Sequence, residues 1–137
     1  MELDKFKKFQ QLVKSQIKWD EDTMMDMEKK LGNLYQEILE IQFTERREYE
    51  DLVTKQKKKY GEVYHEVKYK NDYNYESKSE IDTQVHCDPE YNKICLKLNQ
   101  QGAIVEYIEG TLKNITGIPF GIRDFQKWVY YKAGMAF

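Results

Sequence analysis

Helix breakers are scarce in this chain, with two prolines and seven glycines among 137 residues. Together with sustained apolar spacing, that scarcity points to long helices and away from a compact sheet protein. Long apolar runs are missing too. No uncharged stretch approaches the roughly 20 residues that a membrane helix needs. The N-terminal "MELDKFKKFQQLVKSQIKW" is charged throughout and has no apolar centre of the kind a secretory signal carries. A glycosylation acceptor, "NIT" at Asn114 to Thr116, therefore carries little meaning. The two cysteines, Cys87 and Cys95, are too few for a disulfide framework, and reduced thiols in a soluble intracellular protein are expected.

Catalytic and cofactor signals are equally thin. There is no GxxxxGK phosphate loop, and no GxGxxG follows a strand-like run. His86, Cys87 and Cys95 could seed a metal site, but CxxC and HxxxH pairs are lacking and no fourth ligand is evident. Cys87 and Cys95 read more simply as small packing residues. With only two histidines, a nucleophile–base dyad has little support. The expectation is a protein that is not an enzyme and holds no cofactor and no metal. A thiol- or metal-dependent regulator is a weaker alternative.

What the chain does have is charge, helical periodicity and tyrosine. Charged residues make up 34% and hydrophobic residues 40%, with a net charge of −2. Its length fits one domain, 1–137. Leu3, Phe6, Phe9, Val13 and Ile17 give an amphipathic helix within 1–19. "DEDT", Asp20 to Thr23, supplies capping residues for a restart. Met24, Met27, Leu31, Leu34, Ile38 and Ile41 then recur at steps of three and four. The seam slips by one residue and resumes at Tyr49, Val53, Tyr60, Val63 and Val67, with Gln56 inside it. This predicts a long helix over 23–70, ending or kinking between Gly61 and Lys70. "NDYNYESKSE" predicts a connection over 71–78.

A second helical region is expected over 79–116. Asp88 before Pro89 is an N-cap followed by an N1 proline. Ile94, Leu98, Val105, Ile108, Leu112 and Ile115 continue as a seam that includes Gln101. "TGIP", Thr116 to Pro119, should end that helix. A last helix over 118–134 carries Ile118, Ile122, Phe125 and Val129 on one face. The fold class expected is all-α, a long antiparallel, coiled-coil-like helical hairpin with short N- and C-terminal helices. Phe120, Phe125, Trp128, Tyr130, Tyr131 and Phe137 crowd the last twenty-one residues, more than one short helix face can bury. Self-association through this segment is expected.

Charge is segregated as well. Between Lys55 and Lys70 six lysines face two glutamates, a local +4 that leaves −6 for the remainder. Five of the eleven tyrosines fall between Lys55 and Tyr75. Lys55, Lys57, Lys58 and Lys59 can neutralise phosphates, and Tyr60 and Tyr64 can stack on unpaired bases. The same residues also fit a solvated helix face whose tyrosines pack against a partner helix. Oligomerisation bears on the choice, because copies of a weak cationic strip multiply its valence.

Several segments, taken in order, resemble the UvsY-type recombination mediators of T-even-like bacteriophages. They are "KSE" (Lys78 to Glu80), the periodic helix with Leu98, Val105, Ile108 and Leu112, "FGIRDFQKW" (Phe120 to Trp128) and "KAG" (Lys132 to Gly134). "WDED" (Trp19 to Asp22), "LGNLYQEIL" (Leu31 to Leu39) and a basic stretch ending in a Tyr–Gly pair agree more loosely. The chain departs from the pattern in "MAF" beyond the "AG" and in its dense tyrosines at 60–75.

The resemblance implies a homo-oligomeric ring of six or seven subunits acting in the cytoplasm of an infected bacterial host. It implies as partners single-stranded DNA, a phage RecA-like recombinase and a phage single-strand-binding protein. The activity implied is mediation, helping the recombinase onto DNA covered by the binding protein. By position it assigns DNA contact to Lys55, Lys57 and Lys58, with Lys59 beside them, and ring assembly to Ile118, Phe120, Ile122, Phe125, Trp128 and Val129. A coiled-coil adaptor that binds only proteins is the alternative.

Overall fold

A computed structural model describes residues 1–16, 24–69 and 77–134, with side chains at 1–15, 30–69 and 77–134. Its elements are α1 (Leu3–Gln16), α2 (Met24–Tyr69), α3 (Lys78–His86) and α4 (Pro89–Lys132). No strand occurs among the described residues. None of the described helices is long and apolar enough to cross a membrane. The expected connection at 71–78, the "WDED" and "DEDT" segments, the terminal "MAF" and the side chains of Ile17, Met24 and Met27 lie wholly or mostly outside the described residues.

Two compact units divide the chain: Met1–Phe43 with Glu106–Phe137, and Thr44–Val105. In the first, α1 buries Phe9 and Val13, one helical turn apart, and leaves Leu3 exposed. Tyr107 of α4 meets Phe6 edge-on at 5.3 Å and Phe9 at 6.5 Å. Leu31, Leu34 and Ile38 of α2 and Ile108, Leu112, Ile115 and Ile122 of α4 are buried in the same unit. A fully buried aliphatic side chain of this kind stabilises a fold by roughly 1.5–3 kcal/mol relative to exposure.

In the second unit, α2 and α4 run antiparallel. Gln101 of α4 meets Glu45 of α2, Cys95 meets Gln56, and Glu90 meets Lys59, so α4 descends as α2 ascends. Val63, Ile81, Val85 and Tyr91 form the core, with Tyr60, Tyr64, Val67 and Cys95 packed on it. Ser77 caps α3 by accepting from the Glu80 amide, and α3 begins at Lys78. Asp88 caps α4, its carboxylate accepting from the Tyr91 amide at 2.9 Å, and Pro89 stands first in the helix. At Gly102 the Tyr49 ring would lie 3.3 Å from an added Cβ, so glycine permits this close approach to α4.

Two expectations are corrected. α4 does not stop at "TGIP" but continues through Pro119 to Lys132. Proline costs a helix a hydrogen bond and about 3 kcal/mol or more. Here Ile115 and Ile122, two turns apart and both buried, hold the same face inward on either side of it. Tertiary burial therefore outweighs the local break. The second correction concerns the slip in the α2 seam. Glu45 opens the charged stretch "ERREYED", Glu45 to Asp51, which by composition reads as a solvated face with i,i+4 partners; it is instead buried at 7% exposure and stands at that position. Its carboxylate and its carbonyl both accept from the Gln101 side chain, at 2.8 and 2.9 Å. α2 passes Gly61 uninterrupted, and its last described residue is Tyr69.

Candidate nucleic-acid interface

The basic stretch occupies the C-terminal third of α2. Its sequence alternates between two sides of the helix. Tyr60, Val63 and Val67 face the core of the second unit, leaving the lysines between them to solvent. Lys55, Lys57 and Lys58 are exposed. None of the three is held in an ion pair among the described residues. Exposed, unpaired ammonium groups on a rigid helix are available to phosphates.

Lys59 differs. It is half-buried, and its Nζ lies 2.6 Å from Glu90 Oε2 at the start of α4. That hydrogen bond, more than the other carboxylates nearby, raises its pKa. The assignment of Lys59 as an equal member of the cationic strip is thereby weakened, since part of its charge is already answered within the subunit.

The two tyrosines assigned to base stacking are placed in the subunit's own packing. Tyr60 donates its hydroxyl to the Asp82 carboxylate of α3. That bond first, then burial, pushes its phenol up to about 12. Its ring lies 6.0 Å from both Tyr64 and Tyr91. Tyr64 is half-buried against the same cluster. Burial pushes the Tyr91 phenol upward as well, with the neighbouring Cys95 thiol acting in the same direction. Of the open alternatives for Tyr60, packing is the one the geometry realises.

The exposed aromatics of this region are others. Tyr69 is 64% exposed, and its ring lies 4.8 Å from His65 with the Lys68 ammonium 5.1 Å from its centre. Sequence reading passed over them. Removing the seam positions 60, 63 and 67 from the stretch would have left Lys58, His65 and Tyr69 on the far side.

The residues expected to drive assembly also divide. Ile122 is fully buried within the subunit, so it is core and not interface. It stands seven residues from Ile115 and continues the inner seam. Ile118, Phe125 and Val129 are half-buried. Phe120, Trp128, Tyr130 and Tyr131 are exposed, at 66%, 51%, 43% and 81%. The Arg123 guanidinium lies 5.8 Å from the Phe120 ring centre and the Lys132 ammonium 4.3 Å from that of Trp128. Among the described residues no group of three His, Cys, Asp or Glu side chains could hold a metal ion. Cys87 is exposed, and Cys95 accepts from the Gln56 amide at 3.2 Å.

Crystal structures of the bacteriophage T4 recombination mediator protein UvsY share this fold. The lattice type II structure matches at 20% identity with a TM-score of 0.78, covering 97% of this chain and 98% of that one. Lattice type IV matches at 17% identity and a TM-score of 0.78, covering 93% and 98%. Lattice type I matches at 19% and 0.75, covering 90% and 97%. No curated protein sequence matches the chain. The family described as "Recombination, repair and ssDNA binding protein UvsY" matches residues 10–135. A match over nearly the whole length, on a helical fold of the same kind, makes this chain a member of the UvsY family.

Proposed function

We propose that this protein is a single-stranded-DNA-binding recombination mediator. It acts in the cytoplasm of an infected bacterial host, where it helps a phage RecA-like recombinase onto DNA covered by the phage single-strand-binding protein. The observation that carries this reading is the exposed trio Lys55, Lys57 and Lys58, without an ion-pair partner among the described residues, on α2 of a mildly acidic UvsY-family chain. The cations hold phosphates without reading sequence, as a protein must that binds whatever single strand is present. Six or seven subunits assemble into a ring through the C-terminal part of α4, with Phe120 and Trp128 at the contact. The ring brings several three-lysine strips to one strand, and effective concentration makes the combined grip stronger than any one strip.

The test is anisotropy of an unstructured labelled oligonucleotide across a salt series. Affinity should fall with a log–log slope of about −0.7 per phosphate neutralised. Replacing Lys57 and Lys58 together by Ala should flatten the slope while leaving the circular dichroism signal helical. A chain that binds no oligonucleotide at low salt, yet still captures the recombinase, would establish the protein-only adaptor instead.

A further inference from the structure

The side of α2 that points away from the core carries more than lysine. Lys58, His65 and Tyr69 recur at steps of seven and four, which aligns them along one side of a helix. Lys68 borders them, and Gly61 falls between Lys58 and His65. All five are exposed. A Cβ at Gly61 would meet nothing within 4 Å, so the stripe is open at that turn. At 1.5 Å per residue, Lys58 to Tyr69 spans roughly 16 Å. Lys57 flanks the stripe on one side, while Glu62 and Glu66 lie towards the other, with Lys55 and Lys59.

The two rings here are unlike those of Tyr60 and Tyr64. Tyr60 gives its hydroxyl to Asp82 and its faces to neighbouring tyrosines. Tyr69 has 64% of its surface open, and His65 beside it is exposed. Large exposed rings cost solvation unless something covers them. Rings between ammonium groups, with no apolar rim among the described residues, fit an anionic ligand that has flat faces of its own. Phosphates can meet Lys58 and Lys68 while a base lies on the ring between them, the arrangement that sequence-tolerant strand binding uses. A protein partner would want an apolar surround, and Lys57, Lys58 and Lys68 do not provide one.

We propose that His65 and Tyr69 are the base-stacking platform of this protein and that Lys58 and Lys68 hold the flanking phosphates of the same strand. The inference rests on the reading of α2 as a DNA-binding helix and adds to it a contact with the bases.

The experiment compares two labelled strands of equal length, oligothymidine and a fully abasic strand that keeps the phosphates. Tyr69→Leu should lose roughly five- to 150-fold in affinity for oligothymidine, from a stacking contribution of about 1–3 kcal/mol per base. It should bind the abasic strand as the parent does and keep the parent's salt slope. His65→Leu should act in the same direction, and Tyr69→Trp should restore affinity, with its added indole fluorescence quenched by oligothymidine alone. Equal losses on both strands, or none on either, would overturn the stacking role while leaving phosphate binding intact. If the parent binds neither strand, the functional reading fails and takes this inference with it. An absence of oligothymidine quenching in Tyr69→Trp would decide against the platform even if the leucine variants proved unstable.

Discussion

The C-terminal parts of α2 and α4 use similar residues to opposite ends. Both mix tyrosines or other aromatics with lysine or arginine. On α2, Tyr60 and Tyr64 turn towards the core while Lys55, Lys57 and Lys58 face water. On α4, Ile122 turns inward and Phe120, Trp128 and Tyr131 face outward, with Arg123 lying over the Phe120 ring and Lys132 over that of Trp128. Composition cannot separate these cases. The difference lies in phase, meaning where each aromatic stands relative to the buried seam. Ammonium groups lead the outward side of α2 and large aromatic rings that of α4, which is why a polyanion is proposed for the first and a second copy of the chain for the second.

The largest effect should come from crossing the two sides of α4. Ile122→Ala should destabilise the subunit by about 2–5 kcal/mol, since it empties a fully buried site. Phe120→Ser, a few residues away, should leave the helical signal in place but shift sedimentation towards smaller species. Chemical denaturation and sedimentation velocity on both variants separate the roles. If Phe120→Ser leaves the sedimentation profile unchanged, the outward aromatics of α4 are not the assembly surface.

A smaller contrast lies within the lysine run. Lys58→Ala should reduce the salt slope by about 0.7, the share of one phosphate. Lys59→Ala should change it less, because Glu90 already answers that ammonium. Salt-titrated anisotropy on the pair decides, and equal slopes would put Lys59 back into the strip.

The smallest effect tests the inward tyrosine. The Tyr60 phenol is raised from its ordinary 10.0 to about 12 in the folded chain. Folded protein thus holds this proton more tightly than unfolded protein does. The stabilisation is complete below pH 10 and is lost as pH rises through about 12. Denaturation curves across that range should show the loss in the parent, and Tyr60→Phe should lack this component. A Tyr60→Phe variant with the parent's full pH dependence would mean that the Asp82 bond contributes nothing.

Much of the helical architecture was legible because its signals are local. The three–four spacing in α2 and the Asp88–Pro89 start of α4 are decided within a few residues. The misreadings involve partners distant in sequence. Glu45 looks solvated until Gln101, fifty-six residues on, receives it. Lys59 looks free until Glu90 closes on it, and Tyr60 looks available until Asp82 takes its hydroxyl. Pro119 reads as a stop because local rules weigh its missing amide, not the burial of Ile115 and Ile122 on either side. Charge alone picks out the C-terminal third of α2 as the candidate strip, but the exposed His65–Tyr69 pair is hard to see in the sequence because the tyrosines nearest the lysines stand on the seam.

The Glu45–Gln101 bond works like a detent between two rods. The aliphatic side chains along this contact would accept a neighbour one turn further on with modest loss. This amide would not, because a slide of one turn, 5.4 Å, carries its donors away from both acceptors and strands a buried carboxylate. The alignment that brings Glu90 of α4 to Lys59 of α2, and leaves the lysines ahead of it uncovered, is thus held in part from a point several turns away.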